Sequence, residues 1–318
     1  MTDQPANPLS RVARGTGEIL VTGATGLLGV AVAQALAARG IKKWRALVRV
    51  SSDRDRLTGT GAWMTEGDLL KPESLRRPLE GVSTVLHLAG APREKDPAKI
   101  RAAHVEATQN LLAAAAEAGV GRVVAISSDT VLRKRRSAYA QAKLDSEADL
   151  LAWGGDGRTV VVLRPPMMLG PGSPHLASLE RAAKLPVVPI PANAGRRRPV
   201  WVGDVAGAVL AAMELPDVDV PDRPIDLPGA FAVPIPVLIK GVARTHGWSE
   251  PRIVSLPVGA LRGLGRLAAR LGRDDLSDDR IDGLAEEVDP DPKMARHRLG
   301  WRPVTLDETL RRSIQEIP

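Results

Sequence analysis

Three glycines spaced three residues apart constrain the fold of this chain more than any other feature. Gly23, Gly26 and Gly29 separate a short apolar stretch, residues 18–22, from a longer one over residues 30–39. Such glycines allow a tight reversal, a close approach of backbone to a pyrophosphate, and close packing of a helix on a strand. The sequence therefore predicts a strand, a dinucleotide-binding turn and a helix whose unpaired N–H groups face phosphates. The predicted cofactor-binding residues of this turn are Gly23, Thr25, Gly26, Leu27, Leu28 and Gly29.

The only tyrosine of the chain stands four residues before a lysine in a predicted helix. At that spacing Tyr139 and Lys143 share one helix face. Because a fixed ammonium favours the phenolate, we expect the pKa of Tyr139 to fall below its usual value of about 10. Ser128 ends a predicted strand just upstream and is expected to hydrogen-bond a substrate oxygen. Taken alone, the Tyr-x-x-x-Lys spacing is also typical of a solvated helix surface.

Together with the glycine turn, these residues resemble the short-chain dehydrogenase/reductase superfamily, in its extended branch of epimerase, dehydratase and reductase-like proteins. The similarity covers residues 17–315 and is nearest in character to the reductase group related to the 39-kDa accessory subunit of respiratory complex I. It implies an α/β fold, a Rossmann-type doubly wound parallel sheet with a small C-terminal α/β substrate lobe. We expect a disordered leader at 1–16, an NAD(P)-binding domain at 17–170 and mainly the substrate lobe at 171–318, with segments returning to the core.

The resemblance also implies the catalytic roles. Tyr139 would exchange a proton, Ser128 would orient the substrate oxygen, and Lys143 would hold the nicotinamide ribose. Asp129 matches the acid of the Thr-Asp-Glu signature in nucleotide-sugar dehydratases, but Thr130 replaces the glutamate that such an enzyme needs as base. Asp129 is equally compatible with a residue that only shapes its turn.

The end of the second predicted strand bears on the choice of cofactor. Arg49 lies 20 residues past Gly29, where an NAD enzyme usually places an acid for the ribose 2′-hydroxyl. An arginine suits a 2′-phosphate, with Arg54 as a second donor, so NADP(H) is favoured. NAD(H) stays open, because an arginine-rich chain also ends strands with arginine by composition alone. The other residues assigned to the cofactor by resemblance are Asp68, Leu69, Ala89, Gly90, Ala91, Ser127, Pro165, Met167 and Met168, with Tyr139 and Lys143.

Three residues are candidates for contact with a small-molecule substrate. Arg197 and Arg198 lie where nucleotide-sugar enzymes bind a diphosphate. His104 stands where relatives usually hold the first asparagine of Asn-x-x-Gly-Thr-x-Asn, while the second is kept as Asn110. A buried, satisfied helix histidine is the alternative for His104. The basic run at residues 133–136 is expected to be a solvated face, with a rim that attracts anions as the alternative.

Composition excludes several classes of protein. The chain has no cysteine, so disulfides, thiolate metal sites and thiol nucleophiles are excluded, and we expect no metal. It also lacks an apolar run of about 18 residues and a signal pattern, so we expect a cytoplasmic protein without an integral membrane segment. The net charge of +7 is accompanied by one Phe and one Tyr for stacking on bases, so we expect no nucleic-acid partner.

The leading hypothesis for function is an NAD(P)(H)-dependent oxidoreductase that transfers hydride to or from a small-molecule carbonyl or alcohol. The first alternative is a nucleotide-sugar epimerase or dehydratase with tightly held cofactor. The second is a non-catalytic NAD(P)-binding sensor or assembly protein. A homodimer that uses the helix of Tyr139 is also compatible with the resemblance.

Overall fold

The computed structural model describes residues 17–91, 94–270 and 283–315 of the chain. The leader predicted at residues 1–16 lies outside the described residues. The described strands are β1 (Glu18–Thr22), β2 (Trp44–Val48), β3 (Trp63–Glu66), β4 (Val82–His87), β5 (Arg122–Ile126), β6 (Thr159–Arg164), β7 (Met168–Leu169), β8 (Val187–Pro191), β9 (Arg196–Arg197), β10 (Val200–Trp201), β11 (Ile225–Asp226), β12 (Val233–Pro234) and β13 (Arg252–Leu256). The described α-helices are α1 (Leu27–Ala38), α2 (Arg76–Leu79), α3 (Pro97–Arg101), α4 (Ala107–Glu117), α5 (Ala138–Trp153), α6 (Pro174–Ala183), α7 (Val202–Glu214), α8 (Ile235–His246), α9 (Val258–Arg270), α10 (Lys293–Leu299) and α11 (Leu306–Gln315).

Seven of these strands form one parallel sheet in the order β11-β6-β5-β4-β1-β2-β3. The chain first builds outward from β1 to β3 and then crosses back to β4, so the strand order reverses between β1 and β4. In an open parallel sheet, ligands bind at the carboxyl ends of the strands at this point of reversal. The predicted doubly wound α/β fold is confirmed, and the candidate site is expected beside β1 and β4.

Both faces of the sheet are covered by helices. Successive strand residues point to opposite faces, and in β1 the side chain of Leu20 joins one apolar cluster while Val21 joins the other. The Leu20 cluster includes buried residues of α4 and α5, and the Val21 cluster includes those of α1 and α7. Because the strands are buried on both sides, they are near-continuous apolar runs rather than alternating ones.

Segments beyond residue 170 divide between the main sheet and a smaller cluster. Helix α7 packs on α1, and β11 extends the sheet beside β6. Helices α6, α8 and α11 share a third apolar cluster with β8, in which Leu238 and Leu310 are buried. Strand β13 pairs with β8 in parallel and forms a separate small sheet. In the part of the chain that the structure describes, no helix combines the length and apolar character needed to cross a bilayer.

A π turn, Ala102–Glu106, interrupts the helical segment between α3 and α4. Such single wide turns often occur at functional sites, because they shift the helix's hydrogen-bonding pattern by one residue and leave carbonyl groups for other partners. Here the turn carries His104, whose carbonyl oxygen accepts the hydroxyl groups of Thr108 and Ser146.

Candidate active site

The glycine turn forms the part of the site that fits a dinucleotide's phosphates. Gly23 has φ of +68°, and a Cβ there would lie 2.7 Å from the Cα of Ala89. A Cβ at Gly29 would lie 2.2 Å from the carbonyl oxygen of Gly23, so α1 packs directly on the turn. Helix α1 begins after Gly26 with no side-chain cap and no acidic residue in its first turn. Its first N–H groups and its positive end are therefore available to a phosphate anion.

The segment after β2 carries three arginines, one of which contacts this turn. Arg49 is exposed directly after the strand. The guanidinium of Arg56 donates to the carbonyl oxygen of Thr25 at 2.6 Å. Arg54, by contrast, forms an ion pair with Glu66. Arg56 was missed by sequence reasoning, although its place in an arginine-rich loop after β2 was a usable signal, and Arg54 is the less available of the two.

The turn that follows β3 is fixed by a side chain of α4. Asn110 donates through Nδ2 to the carbonyl oxygen of Leu69 at 2.8 Å. The carboxylate of Asp68 accepts the N–H of Leu70 at 3.1 Å, and the backbone N–H of Asp68 donates to the hydroxyl oxygen of Ser74. These bonds give Asn110 a structural role in positioning the predicted adenine-contacting residues Asp68 and Leu69.

Tyr139 and Lys143 lie on consecutive turns of α5, whose first N–H groups are capped by Ser137. The ammonium of Lys143 donates to the carbonyl oxygen of Ile126, the last residue of β5, at 2.7 Å. Burial lowers the pKa of Lys143 to about 8, and nearby Glu147 partly offsets this. Ser128 lies two residues past Ile126 and is almost fully buried. The structure thus brings all three predicted proton-transfer residues to the end of β5.

The expectation that Lys143 would lower the pKa of Tyr139 is wrong for this structure. Burial raises the pKa of Tyr139 to about 12, with a hydrogen bond to the Ser128 side chain acting in the lowering direction and the charge of Asp129 in the raising direction. The sequence spacing identified the shared helix face, but removal of the phenol from water outweighs nearby charge. At neutral pH the phenol is therefore protonated.

His104 lies behind Tyr139 rather than in an open cleft. Its side chain is 2% exposed, and its ring meets the ring of Tyr139 edge to face with centroids 5.2 Å apart. Nε2 accepts the N–H of Ala91 at 3.3 Å, so the neutral ring carries its proton on Nδ1, which has no partner among the described residues. Burial, then the charge of Lys143, lowers the pKa of His104 to about 3. This position favours a role for His104 in supporting the ring of Tyr139 over the predicted contact with substrate.

A buried chain of hydrogen bonds ties the glycine turn to the π turn. Thr108 donates its hydroxyl proton to the carbonyl oxygen of His104 at 2.5 Å, so its oxygen must accept from Nε2 of His87 at 3.1 Å. Nδ1 of His87 then accepts the hydroxyl of Thr22 at 2.8 Å, and Thr22 accepts the N–H of Ala89 at 3.3 Å. Burial lowers the pKa of His87 to about 3, so the ring stays neutral. Sequence reasoning missed His87 and Thr108, although a histidine closing an apolar strand was a visible signal.

Asp129 and two arginines lie on the other side of Ser128. Burial raises the pKa of Asp129 to about 6, while Arg133 and Arg197 act in the lowering direction. Arg197 is half-buried, whereas Arg198 forms an ion pair with Asp289 at 3.0 Å. The structure therefore brings Arg197 close enough to Asp129 to affect its charge, and directs the guanidinium of Arg198 to a different partner.

The remaining predicted cofactor residues border the same edge. The N–H of Asp129 donates to the carbonyl oxygen of Pro165 at 3.1 Å, and the N–H of Val200 donates to that of Met167 at 3.0 Å. Met168 belongs to β7, which pairs with β10. A Cβ at Gly90 would lie 2.8 Å from the His104 ring, so a small residue is needed there. Ser127 is buried, and its hydroxyl has no partner among the described residues.

Comparisons with known proteins bear on the family and the fold of this chain. The model of the NAD dependent epimerase/dehydratase family matches residues 19–227. The chain is 34% identical over 170 residues to sterol demethylase protein B of Methylococcus capsulatus, covering 48% of this chain and 52% of that protein. It is 30% identical over 196 residues to a 2-alkyl-3-oxoalkanoate reductase of Stenotrophomonas maltophilia, covering 54% of this chain and 58% of that protein. It is 27% identical over 243 residues to the ceramide reductase of Caulobacter vibrioides, covering 76% of this chain and 74% of that protein. The chain thus spans little more than half the length of several curated relatives it matches.

Solved structures share the fold over most of the chain. A UDP-glucose 4-epimerase of Thermotoga maritima with UDP-glucose has a TM-score of 0.74 at 21% identity, over 94% of this chain and 97% of that one. The triphenylmethane reductase of Citrobacter sp. complexed with NADP(H) has a TM-score of 0.72 at 19% identity, over 93% and 100%. The glycine turn, the parallel sheet and the match over residues 19–227 agree, and this chain belongs to the NAD dependent epimerase/dehydratase family, whose enzymes work with a nicotinamide dinucleotide.

Proposed function

We propose that this protein is an NADP(H)-dependent reductase that transfers hydride to the carbonyl group of a small molecule. The observation that carries the proposal is the meeting of Ser128, Tyr139 and Lys143 at the carboxyl end of β5, beside the glycine turn. Ser128 is near enough to Tyr139 to act on the pKa of the phenol, and its side-chain oxygen also accepts the N–H of Thr130 at 3.2 Å. A protein that only binds a dinucleotide has no need of this proton-transfer set.

The protonated phenol of Tyr139 suits the role of proton donor in the reducing direction. Its phenol is protonated throughout the neutral range, so it is ready to give a proton to a carbonyl oxygen that becomes an alcohol. Ser128 would hydrogen-bond the same oxygen and fix its place beside the phenol. Lys143, held by the carbonyl of Ile126, would bind the ribose of the cofactor and stabilise the phenolate that remains. The bound nicotinamide supplies the hydride.

The arginines near the expected position of the cofactor's adenosine support NADP(H) over NAD(H). Arg49 and Arg56 are exposed beside the end of β2 and the glycine turn, where a ribose 2′-phosphate would lie. The name of one curated relative, a 2-alkyl-3-oxoalkanoate reductase, supports a ketone as substrate. The cytoplasmic location and the homodimer stay predictions.

The test is turnover by the Tyr139→Phe variant, measured as NADPH oxidation with a medium-chain 3-oxoalkanoate. Loss of a proton-transfer group typically costs about 10²–10⁴-fold in rate, and we expect a loss in that range. NADPH binding, followed by fluorescence, should stay within about twofold, because the phenol ring is retained. Tyr139→Phe turnover equal to wild type would refute the mechanism.

The runner-up function, epimerisation or dehydration of a nucleotide sugar, rests on Asp129, a carboxyl group with a raised pKa beside Ser128. The two functions differ in what happens to the cofactor. A dinucleotide that copurifies and is never consumed would favour the epimerase, whereas net NADPH oxidation favours the reductase. Cofactor binding without turnover of any carbonyl or sugar nucleotide would favour a sensor or assembly protein.

A further inference from the structure

One arginine of the basic run at residues 133–136 differs from the others in its surroundings. Lys134, Arg135 and Arg136 are exposed, as expected for a solvated face. Arg133 is half-buried, and its Nε is fully buried without a hydrogen-bond partner among the described residues. A buried guanidinium N–H left unpaired is costly, so this atom is a candidate for contact with a ligand.

A second guanidinium lies beside Arg133. Arg197 donates to the carbonyl oxygens of Gly283 and Glu286, the latter at 3.0 Å. A Cβ added to Gly283 would lie 3.4 Å from Nη1 of Arg133, so both guanidiniums flank this glycine. Glu286 holds the basic loop in place, because its carboxylate accepts the N–H of Lys134 at 2.5 Å. The segment at residues 283–287 thus fixes the two arginines side by side.

The charges around the pair are unbalanced. Neither Arg133 nor Arg197 forms an ion pair with a carboxylate in the described ranges 17–91, 94–270 and 283–315. Asp129 acts on both arginines, and burial raises its pKa to about 6, while the carboxylate of Glu287 also acts on Arg197. Burial, and then the charge of Arg133, lowers the pKa of Arg197, while Asp129 and Glu287 act in the raising direction. Among the described residues, the guanidiniums of Arg133 and Arg197 lie beside the carboxyl groups of Asp129, Glu286 and Glu287. With exposed Lys134, Arg135 and Arg136 in the same loop, the positive charges outnumber these carboxyl groups.

This excess lies next to the reacting groups. Arg133 ends the helical turn that Ser128 begins, and Asp129 between them is close enough to Tyr139 to affect its pKa. We propose that Arg133, with Arg197 beside it, binds an anionic group of the substrate, so that the enzyme selects carbonyl compounds that carry a carboxylate or a diphosphate. Planar guanidinium groups suit both anions, because each offers two acceptor oxygens. The inference rests on the proposed reductase function.

The test compares a medium-chain 3-oxoalkanoate, prepared fresh because such acids decarboxylate, with its methyl ester. Wild type should have a KM for the acid about 10- to 100-fold below that for the ester, the range expected for a charged hydrogen bond. Arg133→Gln should remove most of this preference by raising the KM for the acid, with kcat and the KM for the ester within about threefold. Arg135→Gln, in the same loop but exposed, should behave as wild type.

Two results would overturn the inference while leaving the reductase intact. One is equal use of acid and ester by wild type. The other is an Arg133→Gln variant that loses activity toward both compounds alike, which would show that Arg133 acts only on the structure; Arg133→Lys, which keeps the charge, would show the same loss.

If neither compound is reduced, the reductase proposal fails, and binding decides the inference separately. Calorimetric titration of the NADPH-loaded protein with the acid and with UDP-glucose then measures anion binding directly. Binding of either ligand that weakens about 10-fold or more in Arg133→Gln supports the arginine site and identifies the carboxylate or the diphosphate as its anion. No binding, or binding that Arg133→Gln leaves unchanged, overturns it.

Discussion

The rings of His104 and Tyr139 meet edge to face, with an interplanar angle of 85° and centroids 5.2 Å apart. Such pairs contribute about 0.5–1.5 kcal/mol beyond the area they bury. We therefore expect a double-mutant cycle of His104→Ala and Tyr139→Ala, measured by urea unfolding, to give a coupling free energy of about 1 kcal/mol. The contact fixes the phenol ring from behind, so it links the stability of the π turn to the geometry of the proton donor.

Tyr139→Phe is the matched control for this cycle, because it keeps the ring and removes only the hydroxyl. In the Tyr139→Phe background, His104→Ala should lower the free energy of unfolding by as much as it does in wild type. A coupling free energy near zero with Tyr139→Ala would show that the two rings are neighbours without mutual support.

Gly29, in the first turn of α1, and Gly207, in the middle of α7, should respond oppositely to alanine. A Cβ at Gly29 would lie 2.2 Å from the carbonyl oxygen of Gly23, so Gly29→Ala must push α1 from the turn and should cost about 1–3 kcal/mol. At Gly207 in α7 a Cβ meets nothing within 4 Å, so Gly207→Ala should stabilise by about 0.5–1 kcal/mol. Gly29→Ala should also weaken NADPH binding, and Gly207→Ala should not. Equal effects of both changes on unfolding would contradict this account of the turn.

Buried Lys143 should make the protein more stable in alkaline solution. Its pKa is about 8 in the fold against 10.5 for an ordinary lysine, so between these values the unfolded chain binds more protons. The free energy of unfolding therefore rises with pH across that window. Below pH 8 it is lowered by the full cost of burying the charged ammonium. Relative to Lys143→Met, wild type should gain about 3 kcal/mol between pH 8 and pH 10.5, an upper value at about 1.4 kcal/mol per pKa unit. A difference that does not change with pH would mean that Lys143 is not desolvated.

Local sequence patterns predicted the structural features that depend on neighbouring residues. They failed for features that depend on residues distant in sequence. The glycine turn and the shared face of Tyr139 and Lys143 follow from spacing alone, and the structure contains both. The pKa of Tyr139 moved the other way, because burial depends on the whole fold. Arg56 was missed because Thr25, its partner, lies 31 residues away in sequence.

Two adjacent arginines show the same limit of prediction from local sequence. Arg197 and Arg198 are neighbours in sequence, but Arg197 belongs to β9 and contacts the segment at residues 283–287, whereas Arg198 pairs with Asp289. Which side each faces depends on a two-residue strand that no periodicity could reveal. The split of the basic run into exposed residues and a half-buried Arg133 likewise depends on a segment about 150 residues away in sequence.

Selectivity for NADPH should depend on Arg49 and Arg56. A charged hydrogen bond to the 2′-phosphate accounts for about 1.5–3 kcal/mol, so Arg49→Gln and Arg56→Gln should each weaken NADPH binding by about 10- to 100-fold. NADH binding should change little in either variant, because NADH lacks that phosphate. Arg54→Gln is the control, since Arg54 is paired with Glu66. Fluorescence titration measures all three, and equal losses for NADPH and NADH would assign the arginines to the fold rather than to selectivity.

Asp129 should make the binding of an anionic substrate stronger in mild acid. Burial raises its pKa to about 6, Arg133 and Arg197 act in the lowering direction, Asp226 in the raising direction and the Ser128 hydroxyl in the lowering direction. Above pH 6 the carboxylate repels a substrate anion that the arginines attract, and below it the repulsion is lost while an ordinary carboxylic acid, with a pKa of about 4, stays ionised. The KM for a 3-oxoalkanoate should therefore fall about three- to tenfold between pH 7.5 and pH 5.5, since two unit charges about 4 Å apart interact by about 1 kcal/mol even in bulk water. Asp129→Asn should show the low KM at both pH values, and the methyl ester should show no such change with the wild type. A KM for the acid that rises on acidification, or that falls equally for acid and ester, would mean that Asp129 does not face the anion.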